Sequence, residues 1–493
     1  MLPALDAAVA AALFSVSYAL FAGGYRVAAA AALVFAVLFA YVSWSPFRLL
    51  SSAHAAAHNT AASARATALR HRRHTGTGLP CPYPDAWYAC ALSPHVPPGA
   101  VLDATVCGRA LVVWRPRSGG PPSVLDAYCP HNGAHLAHGS TVGDGGTAGD
   151  CLRCPFHGWT FDVKGKVVSA GGDRAPAGVS ARAWPVMERN GVISVWMSAA
   201  GHAPRVGGPA GGCAMGKGEL TTADVERNGA AEGGGGGSGA PPAPRDIAAL
   251  DAARDVARTP DDTPWFETPV FAPIDGPSPA FTFHGFSEHE VPALIYELPE
   301  NGADIAHLTE LHSAFVFAPL RRLLAHAWEG AWKPSETTPH LAELDITEHM
   351  TLCGVRLPNP VKVHITQAGI SQVYLQFNVP AIGRVFIVET VTPVAPCTQR
   401  VLHAVHAERA VPRALAKLIL WSLVQAYEQD VPVWAHKRYE PKPKLTLRDA
   451  AVGEFRRWAK QFYRDARAIS FADAMRAHTG KVLGYAQDGL LEW

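Results

Sequence analysis

The apolar positions fall into four regimes along the chain. Residues 7–22 (AAVAAALFSVSYALFA) and 27–44 (VAAAAALVFAVLFAYVSW) are apolar with no charge, separated by Gly23, Gly24, Tyr25 and Arg26. A bilayer span needs roughly 20 such residues, with about 17 as the lower limit, so the pattern predicts a membrane anchor over residues 1–50. It is read as a helical hairpin with Arg26 in the turn, or as one long tilted or kinked span. A cleaved targeting peptide is the alternative, but Asp6 precedes the first segment and no basic residue does. Arg48, Arg65, Arg70, Arg72 and Arg73 follow, making residues 51–79 a basic linker and placing the large remainder on the cytosolic side by the positive-inside rule.

Over residues 80–198 short apolar runs such as ALVVWRPRSGG and GVISVWM are broken by Gly and Pro. Period-two runs with closely spaced turn signals predict a small all-β domain. Residues 199–263 contain EGGGGGSGAPPAP and few large apolar side chains, so they are read as a disordered insertion. Residues 264–493 are mixed again. QVYLQFNV and RVFIVETVTPV predict strands, and helices are expected near His307, over 415–427 and over 454–467.

Composition narrows the function classes. The 493 residues exceed one ordinary domain, 48% are hydrophobic and 17% charged, and the net charge is +1, which gives no global field to attract nucleic acid. Nine cysteines scattered over this length do not form a disulfide framework, and 22 histidines mean that a lone histidine signifies little.

Two stretches concentrate the cysteine and histidine chemistry. YCPHNGAHLAHG carries Cys129 and His131 as C-x-H; DCLRCPFHGWTFD carries Cys154 and His157 as C-x-x-H, leaving Cys151 out by spacing. Two thiolates and two imidazoles suit tetrahedral zinc or a Rieske [2Fe-2S] cluster. The cluster is favoured, because each pair sits in a tight turn with Pro130 or Pro155 after the cysteine and Gly133 or Gly158 beyond the histidine. Such turns can aim backbone amides at sulfur. His135 and His138 are read as packing or exposed histidines.

Both stretches resemble the paired loops of Rieske oxygenases, with a longer intervening segment, STVGDGGTAGD, expected to be a hairpin insertion. The resemblance implies Cys129 and Cys154 as thiolate ligands and His131 and His157 as imidazole ligands. It also implies a mononuclear Fe(II) held by two histidines and a carboxylate, a facial triad with positions open for O2. ELPENGADIAHLTELH offers Asp304, His307 and His312. Histidines five residues apart lie about 140° apart on an ideal helix, so both reach one metal only if the helix ends or distorts between them. YEQDVPVWAHKRY offers Asp430 as the third ligand, with Glu428 as the alternative and Trp434 packing beside it. Asp304 resembles the residue that bridges a cluster histidine of one subunit to an iron histidine of its neighbour.

ENGADIAHLTELH, EQDVPVWAHKRYEPKP and VGEFRRWAKQFY together are similar to the cholesterol 7-desaturase (Neverland) family, akin to ketosteroid 9α-hydroxylases. The resemblance implies an α+β chain: a membrane helix or hairpin, an all-β Rieske domain, and an α+β catalytic domain of helix-grip type over 264–493. It implies O2- and NAD(P)H-dependent C7–C8 desaturation of a sterol such as cholesterol, with a steroid hydroxylase as the alternative and a non-catalytic Rieske electron carrier as the remote one. It implies a separate NAD(P)H-linked reductase or ferredoxin, since no nucleotide-binding glycine loop is present. A homotrimer and a place in the endoplasmic reticulum membrane are expected on the same basis.

Overall fold

The structure is a computed structural model that describes residues 2–44, 48–50, 79–143, 149–198, 268, 281–313, 324–358, 360–379, 382–463, 471 and 474. The Gly-rich insertion and the basic linker expected from the sequence lie outside the described residues.

The N-terminal apolar segments form helices α1 (Leu2–Ala22) and α2 (Arg26–Trp44). Gly24 takes φ +84, a left-handed turn that a side chain would strain, and the amides of Gly23 and Tyr25 bond back to Ala19 and Leu20. The helices pack through small residues: Ala10, Ala29 and Ala36 are buried, and Ser17 Oγ donates to the carbonyl of Ala29 at 2.7 Å. Phe14, Tyr18, Phe21, Phe35 and Leu38 stay exposed. This is the hairpin alternative, and it corrects the expectation of a membrane span, because among the described residues no helix is long and apolar enough to cross a membrane. Asp6 falls inside α1 and Arg26 opens α2, so neither helix offers roughly 20 uncharged residues in a row. The end of α2 is also tied to protein: Lys417 Nζ donates to the carbonyls of Val42 and Ser43 at 2.6 and 3.0 Å. A short strand, β1 (Arg48–Leu50), follows.

Ten strands build the first β region: β2 (Ala86–Leu92), β3 (Val101–Val106), β4 (Arg109–Trp114), β5 (Ser123–Asp126), β6 (Ser140–Gly143), β7 (Asp150–Arg153), β8 (Trp159–Phe161), β9 (Val167–Ala170), β10 (Val186–Arg189) and β11 (Val192–Met197). They pair in the orders β10-β11-β2, β3-β4-β5 and β6-β7-β8-β9. The expected hairpin between the two Cys/His loops is present: β6 and β7 pair antiparallel, Ser140 opposite Arg153.

The second region comprises β12 (Phe281–Val291), α3 (Glu297–Ala303), α4 (Ile305–Leu311), β13 (Leu324–Pro334), β14 (Leu341–Leu352), β15 (Val355–Arg356), β16 (Val361–Ala368), β17 (Gln372–Val379), β18 (Gly383–Ala395), β19 (Thr398–Glu408), α5 (Arg413–His436) and α6 (Ala450–Ala459). Its sheet runs β1-β12-β19-β18-β17-β16-β14-β13, with β15 on β14, and every pairing is antiparallel except the parallel β1–β12. One long helix, α5, lies against this sheet.

The two regions share a core. Tyr88, Val113 and Ile193 of the first pack in one cluster with Val391, Val401, Tyr427, Val431 and Trp434 of the second. Polar ties cross the same seam: Ser371 Oγ donates to the carbonyl of Trp87 at 2.8 Å, and Arg400 donates to the carbonyls of Ala89 and Cys90. A buried ion pair fastens α3 to α6. Arg456 donates to both oxygens of Glu300 at 2.6 and 3.1 Å, and Lys437 reaches Glu300 at 3.4 Å.

Candidate active site: a cysteine–histidine loop pair and a triad at two helix ends

The four expected cluster ligands sit on two facing loops. The first runs from β5 to β6 and is closed by Cys129 N to Ala134 O and Gly133 N to Cys129 O, both 2.9 Å. The second connects β7 to β8 and is closed by Cys154 N to Trp159 O at 2.7 Å. Gly133 and Gly158 take φ +70 and +71, so each loop turns through a left-handed residue after its histidine.

The thiols and the rings face different surroundings. Cys129 and Cys154 are each 3% exposed, whereas His131 and His157 are exposed, their ring centroids 4.7 Å apart. The His131 ring stacks on Trp159 at 4.6 Å. Burial pushes the Cys129 thiol up, while the amides of His131 and Asn132 pull it down. Those amides are donors aimed at sulfur, the arrangement that stabilises a sulfur-bound cluster. Two inward thiols, two adjacent imidazoles and amide donors fit a Rieske [2Fe-2S] group. Cys151 is buried in β7 with its thiol toward the carbonyl of Gly149. His135 packs on Tyr128 and His138, and its Nδ1 accepts from the amide of Ala137.

The second set converges from two helices distant in sequence. His307 Nε2 lies 4.0 Å and His312 Nε2 3.3 Å from Asp430 Oδ1, and one ligand atom from each residue falls within 4.8 Å of the others. The helix ends where the spacing demanded: α4 stops at Leu311, and His312 is its C-terminal cap at φ −108, ψ 14. Its ring therefore swings to within 5.4 Å of the His307 ring. Asp430 is 7% exposed on α5, and Pro432 interrupts the helix two residues later. Proline has no amide to bond the carbonyl of Glu428, so the ladder is broken at the turn that carries Asp430.

Hydrogen bonds fix the tautomer of each ring. His307 Nδ1 donates to the carbonyl of Asp304, and His312 Nδ1 donates to Gln429 Oε1 at 3.3 Å. Both Nε2 lone pairs are thereby presented toward Asp430, as metal ligation requires. Burial lowers the His307 pKa, which keeps that lone pair available, and Asp430 opposes the shift. Asn301 Nδ2 donates to the same His307 Nε2 lone pair at 3.0 Å, a bond that a metal ligated there would replace. Two imidazoles and one carboxylate on one side of a small space suit a divalent iron.

Three further residues singled out by the sequence are placed around this set. The Asp304 carboxylate accepts from the amide of His307 at 3.3 Å as an N-cap, so its backbone carbonyl, not its side chain, orients the ring. Glu428 turns away to His289 Nδ1 at 3.0 Å. Trp434 packs on Tyr427 in the core, 5.1 Å between rings. A cavity of about 910 Å³ lies elsewhere, between Phe283, Phe286, Leu92, Arg400 and Arg413, and no triad residue lines it. Asn301 and Gln429 were not legible from the sequence, since an amide beside a histidine carries no spacing signature.

Comparison with known proteins follows the same division. Residues 86–179 match the Rieske [2Fe-2S] domain, and residues 259–463 match the 3-ketosteroid 9alpha-hydroxylase C-terminal domain. Cholesterol 7-desaturase nvd of Bombyx mori is 31% identical over 413 residues, 82% of this chain and 74% of the relative. The protein of that name from Xenopus laevis is 32% identical, over 81% of this chain and 75% of the relative. A probable 3-ketosteroid-9-alpha-monooxygenase oxygenase component of Rhodococcus rhodochrous is 24% identical, over 78% and 82%. A Rieske domain continuous with a ketosteroid-hydroxylase-type domain, and identity above 30% across three quarters of such relatives, place this chain in the cholesterol 7-desaturase family.

Proposed function

We propose that this protein is an oxidoreductase that introduces a C7–C8 double bond into cholesterol or a closely related sterol. The observation that carries the reading is the convergence of His307, His312 and Asp430 behind a separate Cys2His2 loop pair. An electron carrier needs only the second of these. The balance is sterol CH–CH plus O2, NAD(P)H and a proton, giving the alkene, NAD(P)+ and two waters. Electrons come from a separate NAD(P)H-linked reductase or ferredoxin.

Cys129, Cys154, His131 and His157 would hold the cluster, and His307, His312 and Asp430 would hold the iron. When bound, the cluster would supply single electrons and the iron would supply O2 activation. The chain's own residues do the rest. The Asp304 carbonyl and Gln429 hold the two imidazoles in the ligating tautomer. The buried wall of α5 keeps bulk water from the carboxylate. In a homotrimer, the half-buried Asp304 carboxylate faces a neighbouring subunit's cluster histidine and provides a short electron route. The exposed apolar side chains of the α1–α2 hairpin rest in the apolar layer of the endoplasmic reticulum membrane, with the catalytic part cytosolic, where a sterol substrate is collected.

The test is turnover of labelled sterols by the full chain with a reductase, products identified by mass spectrometry. A 7-dehydro product supports the reading. An alcohol as the main product replaces it with a hydroxylase, the activity named for the Rhodococcus relative. Reduction of the cluster without any sterol product leaves an electron carrier.

A further inference from the structure

Beneath α5 runs a chain of buried polar side chains that none of the proposed chemistry uses. Glu428 Oε1 lies 3.0 Å from His289 Nδ1, His289 Nε2 lies 3.2 Å from Ser287 Oγ, and Ser287 Oγ lies 3.0 Å from His403 Nδ1. Ser287, His289 and His403 are each 0% exposed. Ser287 and His403 stand opposite each other in the β12–β19 ladder, so their side chains share the face of the sheet that α5 covers. The Tyr427 ring packs over both imidazoles, at 5.0 and 4.9 Å.

A carboxylate only accepts, so Nδ1 of His289 carries the hydrogen toward Glu428. His289 Nε2 and His403 Nδ1 both lie within reach of the Ser287 hydroxyl, which donates to one of them. A second carboxylate, Glu389, stands at the far end, its Oε2 3.4 Å from His403 Nε2. The Glu428 charge orients the bond at its own end. A charge-assisted bond is about twice as strong as a neutral one, and polar groups this buried are costly to leave unpaired.

The location gives the chain its meaning. Pro432 removes the amide that would bond the carbonyl of Glu428, so the turn of α5 holding Asp430 lacks a rung of its own ladder. That turn needs a tie from outside the helix. Glu428, two residues before Asp430, provides one to β12 and, through Ser287, to β19 of the sheet.

We infer that Glu428 is a positioning residue: through His289 and Ser287 it fastens the proline-weakened turn of α5 to the sheet and thereby aims Asp430 at His307 and His312. This rests on the triad reading given above. It assigns Glu428 a role different from iron ligation, and it assigns roles to His289, Ser287 and His403.

The test uses the full chain loaded with Fe(II), and reads three quantities: iron release to a chelator, the cluster EPR signal and the melting temperature. Glu428→Ala is expected to release iron about 10- to 100-fold faster, the range for groups that orient metal ligands. The cluster signal stays near that of the parent, and the melting temperature falls by a few degrees because the His289 Nδ1–H is left unpaired. Glu428→Gln keeps an oxygen for His289 and is expected to retain iron within about threefold of the parent, a small part of that range. On the sheet side, His289→Leu should match Glu428→Ala, whereas His289→Asn keeps a nitrogen near the Nδ1 position and should recover most of the retention. The Glu428→Ala/His289→Leu pair should be no worse than either alone, because one bond is being removed twice.

Parent-like iron retention in Glu428→Ala overturns the inference. So does iron loss in Glu428→Gln as complete as in Asp430→Ala, which would make the carboxylate itself a ligand. Iron loss that merely follows a fall in melting temperature, without recovery in His289→Asn, overturns it too. Failure of the triad reading looks different: Asp430→Ala would itself keep its iron.

Discussion

The two candidate metal centres are built in opposite ways. Each half of the cysteine–histidine site is a loop of a few residues, closed by its own backbone bonds and bearing two ligands. The triad takes two ligands from the ends of α4 and one from α5, more than a hundred residues later. The exposures differ in the same sense. The imidazoles of the first site are exposed over buried thiols, while His312 and Asp430 are 6% and 7% exposed. A centre that exchanges electrons with another protein needs an exposed edge. A centre that handles an apolar substrate and O2 needs shelter, and shelter is assembled from distant parts of the chain.

The contrast breaks most sharply when one centre is removed without the other. Cys154→Ser is expected to abolish the Rieske EPR signal and all turnover while Fe(II) still binds the triad; loss of both metals would show the centres to be interdependent. Asp430→Ala is expected to lower turnover by more than about 100-fold, past the range for orienting groups, with the cluster spectrum unchanged. Near-normal turnover there would remove Asp430 from the ligand set.

The support of each centre can be probed separately. Glu300 is 4% exposed between the half-buried Arg456 and Lys437, so Glu300→Ala removes the shared acceptor of two cations and is expected to cost about 1–3 kcal/mol in urea unfolding. A loss under 1 kcal/mol would mean that the ion pair does not fasten α3, and with it α4, to α6. The loop site has a more local support. Gly171 holds φ +73, and a Cβ there would lie 2.7 Å from the carbonyl of His157. Gly171→Ala is expected to cost about 1–3 kcal/mol, as for other substitutions at strained positions, and to broaden the cluster EPR signal without altering iron at the triad.

Glu297, 1% exposed at the first position of α3, supplies a pH readout. Burial pushes its pKa from 4.5 up to about 7, opposed by Lys437 and by the amide of Leu294. Its folded form holds a proton that the unfolded chain releases earlier. Stability from this group is therefore full below pH 4.5 and lost as pH rises through 7, by roughly 3 kcal/mol in total. Glu297→Gln should flatten that decline and unfold at higher urea than the parent at pH 8; an unchanged slope would remove Glu297 as its source.

The same contrast explains what could be read in the sequence. Cys129, His131, Cys154 and His157 were legible because each pair lies within four residues, in a turn marked by Pro and Gly. His307 and His312 were legible only as a condition, that the helix end between them, and it ends at Leu311. The choice between Asp430 and Glu428 was left open, since two carboxylates two residues apart differ only in what faces them. His289, Ser287 and His403 gave no signal, because the contacts joining Ser287 to His403 and His289 to Glu428 span more than a hundred positions. The N-terminal hairpin was legible from the break at Gly23–Gly24, but hydropathy, which registers apolar length, cannot register a lysine from another helix at the end of α2.

That lysine ties the two ends of the chain mechanically. Lys417 is 4% exposed and gives its ammonium to the last carbonyls of α2. A cation there also meets the negative end of the helix dipole. Thirteen residues further along the same helix, about 20 Å at 1.5 Å per residue, stands Asp430. The hairpin is thus a buttress for the helix that carries Asp430 as well as a surface of its own. A shortened chain beginning at Leu79 would strip two acceptors from a buried ammonium, and its loss of activity would say nothing about membranes.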